Sequence, residues 1–293
     1  MSKAKRVSKK QHSSSQKARK RTIALHPLFV SLDDGSIPSE VDDETIKQLR
    51  QNMMAWTKYI DRLSSPQTMD TETKLLVARA LLRRGVACIL LEEWQPALSD
   101  LSQVIAMGVG EAETNTAYLY RARVQDALGQ DKGSIYDWTY VLERIEHASS
   151  QPERFAKELA AVGYTYRARL YARCENYKQS VSDCDRALVF DPSYAEAYSV
   201  RGGAYNHLEK WTQALSDCTR AISLEKKAIH FYRRGLVQKQ IGNYDQAFAD
   251  FEQAHQDEPE NGLFNKEYTQ LLMLRLIRMG VSATHSHDPA LLV

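Results

Sequence analysis

AVGYTYRARLYARCENYKQSVSDCDRALVFDPSY, residues 161–194, is followed directly by AEAYSVRGGAYNHLEKWTQALSDCTRAISLEKK, residues 195–227, and by AIHFYRRGLVQKQIGNYDQAFADFEQAHQDEPEN, residues 228–261. The three stretches begin 34 and then 33 residues apart, a period expected of stacked helical hairpins. An aromatic stands near the start of each copy (Tyr164, Tyr198, Phe231), and a small residue follows four positions later (Ala168, Gly202, Gly235). Two further small columns run through Ser180, Ala214 and Ala247 and through Ala187, Ala221 and Ala254. Small side chains on antiparallel helices let the backbones approach closely, and larger ones fill the space toward the next copy. Between the helices lie ENY, EKW and GNY, whose Tyr177, Trp211 and Tyr244 are expected to plug the turn. Pro192 and Pro259 stand where a helix must stop.

This combination resembles the tetratricopeptide repeat (TPR) family: an aromatic, a small residue, a turn aromatic, an alanine column and a closing proline. The resemblance implies an all-α fold, a right-handed α-solenoid whose concave groove is lined by the first helix of each hairpin. One hairpin cannot bury its apolar stripe alone, so successive copies must stack. Two weaker copies emerge upstream at 78–111 and 115–148, giving about five with 161–194, 195–227 and 228–261. Their starts are spaced 37 and 46 residues from the next, which predicts lengthened connectors near 107–114 and 145–157. A helix at 153–162 would extend the start of the third copy.

Outside the repeats the chain changes character. Residues 1–21 hold nine Lys or Arg and no acid, so the net charge of +2 hides a balance of 30 basic to 37 acidic side chains over residues 22–293. Residues 1–25 read as a disordered basic tail, too poor in large apolar side chains to offset the entropy of ordering. No apolar stretch follows the charges, which argues against a secretory signal. Lys5-Arg6 and Lys17–Arg21 have the spacing of a bipartite nuclear import signal, and the same charges suit nucleic acid or another acidic surface.

Residues 26–70 read as a connector, with Leu28, Phe29 and Val30 as anchors, followed by an N-terminal capping helix. Ser39 is the expected N-cap, and Ile46, Leu49, Met53, Trp56, Ile60 and Leu63 recur at spacings of three and four. Residues 71–280 form the solenoid, closed by a capping helix over 262–280 that carries Phe264, Tyr268, Leu271 and Leu272; residues 281–293, with His285 and His287, read as a flexible tail. There is no run of 18 apolar residues, so no membrane partner is expected. Cys88, Cys174, Cys184 and Cys218 fall at packing columns with no CxxC pair, the usage of small buried hydrophobes in a reducing compartment. The chain therefore reads as cytoplasmic, or nuclear in a eukaryote.

Two features point to function. Arg84, Arg121, Arg167, Arg201 and Arg234 share one position on the first helix of all five copies, and Asp100, Asp137, Asp183, Asp217 and Asp250 share one on the second. Antiparallel helices place these at similar heights, which predicts arginine–carboxylate contacts that set hairpin register. The inward face of the first helices is expected to carry Arg83, Tyr120, Arg123, Tyr166, Arg169, Arg173, Asn206, Tyr232 and Arg233. Guanidinium forks match carboxylates and stack on aromatics, so the set suits a protein or peptide partner, in particular an acidic one.

TPR proteins that hold the acidic C-termini of heat-shock chaperones use Lys, Asn, Asn, Lys and Arg on three successive copies. The matching positions here are Thr165, Arg169, Val200, Ile229 and Arg233. Only the last agrees, so that clamp is not expected. Gly-rich phosphate loops, HExxH, GxSxG and paired metal spacings are absent from the sequence; the reading is a non-enzymatic scaffold or adaptor with no cofactor. The alternatives are nucleic-acid association through residues 1–21 and self-association through apolar end helices.

Overall fold

The computed structural model describes residues 42–64, 69–147 and 154–278. The basic tail, the Leu28–Val30 anchors, Ser39, residues 148–153 of the connector expected near 145–157, and residues 279–293 lie outside them. Twelve helices follow one another among the described residues: α1 (Asp43–Leu63), α2 (Thr71–Leu90), α3 (Trp94–Met107), α4 (Glu111–Ala127), α5 (Asp131–His147), α6 (Arg154–Arg173), α7 (Tyr177–Phe190), α8 (Ala195–His207), α9 (Trp211–Leu224), α10 (Ala228–Gln240), α11 (Tyr244–Asp257) and α12 (Gly262–Arg278). Each helix packs on the next, and α2–α4, α6–α8 and α8–α10 also touch. First helices therefore line one side of a solenoid and second helices the other.

Five hairpins, α2–α3 to α10–α11, share one turn. In each, the second residue past the first helix takes a left-handed conformation: Glu92 (φ 59°), Gly129 (70°), Glu175 (58°), Glu209 (59°) and Gly242 (83°). The following N–H then reaches back five residues to a helix carbonyl, as in Glu93→Cys88 (2.8 Å), Gln130→Gln125 (2.8 Å), Asn176→Tyr171 (2.8 Å), Lys210→Tyr205 (2.9 Å) and Asn243→Gln238 (2.9 Å). That bond satisfies a carbonyl the helix end would otherwise orphan. It also brings the second helix back antiparallel after three residues.

The small columns are buried as expected: Ala168, Ala187, Ala214, Ala221, Ala247 and Ala254 are fully covered. Opposite the first-helix column lies a second-helix column of variable size: Leu101, Trp138, Cys184, Cys218 and Phe251, all buried. Contact is closest at Gly202, where an added Cβ would meet Cys218 Sγ at 2.6 Å and the Ala214 carbonyl oxygen at 3.1 Å. Burial pushes the Cys88 thiol up to about 11 and the Cys218 thiol to about 12, so both are neutral packing groups.

The predicted arginine–aspartate contacts form inside every hairpin. Arg84, Arg121, Arg167, Arg201 and Arg234 each bind both oxygens of the aspartate 16 residues on, through Nε and Nη2 at 2.6–2.9 Å. The remaining Nη1 of four of them reaches back to the preceding second helix or to α1. Arg84 donates to Thr57 (3.0 Å), Arg121 to Ser102 (3.4 Å), Arg167 to Thr139 (3.0 Å) and Arg201 to Asp185. The aspartates are buried, Asp137 completely. Desolvation lifts the Asp137 carboxyl above its ordinary value while the Arg121 fork pulls it back down.

Several expectations are corrected. The N-cap of α1 is Asp42, which accepts from Thr45 N–H at 2.7 Å, and not Ser39. The extra residues near 107–114 lengthen helices and not the connector: only 108–110 separate α3 from α4, while α2 and α6 each begin seven residues before their copies and α4 four before. Extending a nucleated helix gains one hydrogen bond per residue fixed, which an open loop does not. Two of the three turn aromatics do not plug the turn: Trp211 and Tyr244, at the start of their second helices, are 40% and 53% exposed, whereas Tyr177 is half-buried. Cys174 likewise sits exposed at the α6–α7 turn, not in a packing column.

Three substitutions test these contacts. Asp217→Ala leaves Arg201 facing a part-buried gap and should destabilise the fold by about 3 kcal/mol, read as a lower urea midpoint at unchanged slope. Gly202→Ala should lower the melting temperature because Cys218 and the α9 backbone leave no room for a methyl group. Gly203→Ala, whose Cβ would meet only Arg233 Cδ at 3.9 Å, should be neutral or stabilising by up to about 1 kcal/mol through helix propensity.

Candidate functional site

On the concave side α6, α8 and α10 enclose a trough of about 410 Å³. Its floor is apolar, made of Val200 and Gly203 on α8 and Ile229 and Leu236 on α10. Its rim carries Arg169 and Arg173 from α6, Asn206 and His207 from α8, and Tyr232 and Arg233 from α10. The stripe arises because residues three and four apart share a helix face, so 200, 203 and 207 line up on α8 as 229, 233 and 236 do on α10. Tyr177, at the start of α7, stacks on His207 with ring centroids 4.4 Å apart and closes one end.

Five of the nine sequence-predicted residues meet here: Arg169, Arg173, Asn206, Tyr232 and Arg233. Two more adjoin them. Tyr166 stacks on Trp138 at 5.7 Å, and the guanidiniums of Arg123 and Arg169 lie over its ring at 4.8 and 4.6 Å. Arg83 lies apart, in a separate recess between α2 and α4 with Arg79 and Glu113.

Tyr120 is a correction. It is 4% exposed and packs in the core formed by α1 to α4. Its column contains Val200, equally buried, but also the half-buried Tyr166 and Arg233 and the exposed Arg83, so burial at this position differs from copy to copy. Sequence reading missed the apolar floor residues Gly203 and Leu236 and the Tyr177–His207 stack. The columns two residues after each fork arginine (Arg123, Arg169, Gly203, Leu236) carried that signal, masked by the change from basic to apolar along the array.

The rim cations are held in place by acids behind them. Arg173 binds Asp126 (2.6 Å) and Asp131, and Arg169 lies 3.8 Å from Asp126. Arg233 donates to Ser199 (2.7 Å) and lies 3.5 Å from Glu196. Arg169 and Arg173 keep more than a third of their side chains open to solvent, so each can accept a further carboxylate. The Asn206 side-chain oxygen is buried without a hydrogen-bond partner among the described residues, an acceptor that a donor on a bound chain would satisfy. No group of three or more His, Cys, Asp or Glu among those residues could hold a metal ion, and none of the helices is long and apolar enough to cross a membrane.

Beneath the trough, His230 at the start of α10 is fully buried, and neither ring nitrogen has a hydrogen-bond partner among the described residues. Desolvation lowers its pKa below the ordinary 6.5; Arg233 and Lys227 act in the same direction, against Glu196 and Glu225. In the unfolded chain the imidazole binds its proton near its ordinary value, whereas the folded one resists it. His230 therefore contributes a loss of stability as pH falls through about 6.5, levelling below the folded pKa. The wild-type melting temperature should drop between pH 7 and pH 5, and His230→Gln should make that drop shallower.

No family model matches the sequence, and no curated protein matches it. Solved structures do. A tetratricopeptide repeat protein from Parabacteroides merdae aligns at 16% identity and a TM-score of 0.53 over 70% of this chain and 74% of its own. YrrB, described as a TPR protein with an unusual peptide-binding site, aligns at 16% identity and a TM-score of 0.50 over 74% of this chain and 99% of its own. At these identities the likeness is one of fold, and it agrees with the five in-register copies. The chain is an all-α solenoid with the tetratricopeptide-repeat fold.

Proposed function

We propose that this protein is a scaffold or adaptor that holds a peptide segment of another protein in the trough formed by α6, α8 and α10. The observation that carries this reading is the pairing of an apolar floor (Val200, Ile229, Leu236) with a rim of three arginines already oriented by Asp126, Asp131 and Glu196. A ligand suited to it presents one or two apolar side chains flanked by carboxylates. The rim supplies charge-assisted hydrogen bonds and the floor supplies desolvation. Because the solenoid is preformed, little ordering on the protein side opposes binding. The peptide-binding site of YrrB, a protein of similar fold, is consistent with such a use of the architecture. Nothing in the trough supplies a nucleophile–base pair or a metal site, so the reading is of capture and not of catalysis.

Binding can be measured by fluorescence anisotropy with an array of labelled decapeptides that vary acidic and apolar content independently. The expected ligands are acidic–apolar sequences. For the strongest of them, Arg233→Glu and Ile229→Glu should each weaken binding at least about tenfold with helicity unchanged, while Arg83→Glu should have no effect. Equal binding by wild type and both trough variants would exclude the trough as the site.

A further inference from the structure

Among the described residues, the two ends of the array are each half of a hairpin, and they are opposite halves. At the N-terminal end, α1 occupies the place of a second helix. Its Thr57 accepts from Arg84 Nη1 just as Ser102, Thr139 and Asp185 accept from the next three fork arginines. This register puts Ala55 in the aspartate column and Trp56 in the column of Leu101, Trp138, Cys184, Cys218 and Phe251. Tyr59 falls in that of Val104, Val141, Ala187, Ala221 and Ala254. In all five complete hairpins those last two columns are buried against the first helix. Here Trp56 is only partly covered and Tyr59 is 41% exposed.

At the C-terminal end α12 occupies the place of a first helix. It packs on α11 as α10 packs on α9. Its Asn265 side chain bonds the carbonyl of Pro259, six residues back, as Tyr198 bonds that of Pro192. Leu271 is buried in the column of Ala204 and Val237. The same register puts Tyr268 in the arginine column and Thr269 in the small column of Gly202 and Gly235. Thr269 is exposed, and beside it on the same face stand Met273 (54% exposed) and Leu276 (37%).

Apolar exposure is concentrated where these halves lie. Of twelve exposed large hydrophobic side chains among the described residues, five are on α12 and two on α1. Each end also has a valley of the kind that receives the next helix in the solenoid. One lies between α1 and α2 and includes Trp56, Tyr59, Leu76 and Ala80; the other lies between α11 and α12 and includes Phe248, Leu274 and Ile277. A polar outer face is what normally ends a repeat array. A contiguous apolar end instead marks an interaction surface.

We infer that copies of this chain associate head to tail, α12 of one molecule pairing with α1 of the next to complete a sixth hairpin. The interface continues the one repeated inside the chain. Thr269 faces Trp56 as Gly202 faces Cys218, and no arginine–aspartate fork forms because Ala55 stands opposite Tyr268, whose ring packs against Phe248 and His255 of α11. The occupant is a second copy because, among the described residues, each end offers the helix type that the other end lacks. Such a contact uses two different surfaces, so it propagates and does not stop at a dimer.

The test is sedimentation velocity on the full chain over a wide concentration range, with Tyr59→Glu and Met273→Glu as variants at the two ends. Both substitutions are at exposed positions, and circular dichroism checks that they fold. Wild type should show a weight-average mass that rises with concentration past that of a dimer. Each variant alone should stay monomeric, and their mixture should give a 1:1 dimer and nothing larger, since each retains one intact end. A wild type that stays monomeric at every concentration would overturn the inference. So would a variant that still dimerises alone, which would indicate pairing of like ends, or a discrete wild-type dimer.

Discussion

The bidentate contact between an arginine and the aspartate 16 residues later is the constraint on which this structure depends. A planar guanidinium meets a carboxylate through two parallel hydrogen bonds only when the two helices sit at one height and one rotation. An alanine or leucine column tolerates a slip along the helix axis; a fork does not. Burying the ions takes back much of what their attraction gives, so the contact contributes more to the choice of register than to net stability. The third donor of four of these arginines extends the same specification to the preceding element, so the height of each hairpin is read from the one before it.

Everything on the concave face inherits that register. Arg169, Asn206 and Arg233 converge on one trough because each sits at a set offset from a fork arginine on its own helix. Two of the acids that orient the rim, Asp126 and Glu196, lie on first helices too, and the third, Asp131, opens the second helix α5. The site is therefore a product of the repeat geometry, and its chemistry comes from what varies between copies at equivalent positions. Copy by copy, the position two residues after the fork arginine changes from Val86 to Arg123, Arg169, Gly203 and Leu236. This change turns one region of the inner face into a basic rim and the next into an apolar floor.

The hairpins, their order and the arginine–aspartate pairing were legible in the sequence because they repeat: a column of five like residues cancels the noise of any single position. Local departures were harder to read. Tyr120 looks like its column neighbour Arg83, yet a phenol ring can be covered by adjacent helices where a guanidinium stays in water, and no periodicity separates the two cases. The turn aromatics stand at regular spacing, but spacing does not say whether the side chain leans into the hairpin or away from it. The insertions near 107–114 were visible as a change of period; that they extend α4 and not a loop depends on the packing available to the added turn. Of the candidate site, the basic residues and Tyr232 were legible, whereas Tyr177 with His207 and the apolar floor were not, because aliphatic residues on a first helix look like ordinary core.

The five hairpin turns use the same left-handed residue but different side chains at it, glycine in two copies and glutamate in three. A residue with a Cβ carries a cost of about 1–2 kcal/mol in that conformation. The first, third and fourth hairpins thus hold local strain at their tips that the second and fifth do not. In an array held together mainly by nearest-neighbour contacts, such differences grade the resistance to opening along the axis. Two of the strained tips, at Glu175 and Glu209, close the hairpins whose first helices, α6 and α8, form much of the trough. The trough thus joins two helices that end in strained glutamate turns, α6 and α8, to a third, α10, whose glycine turn is relaxed.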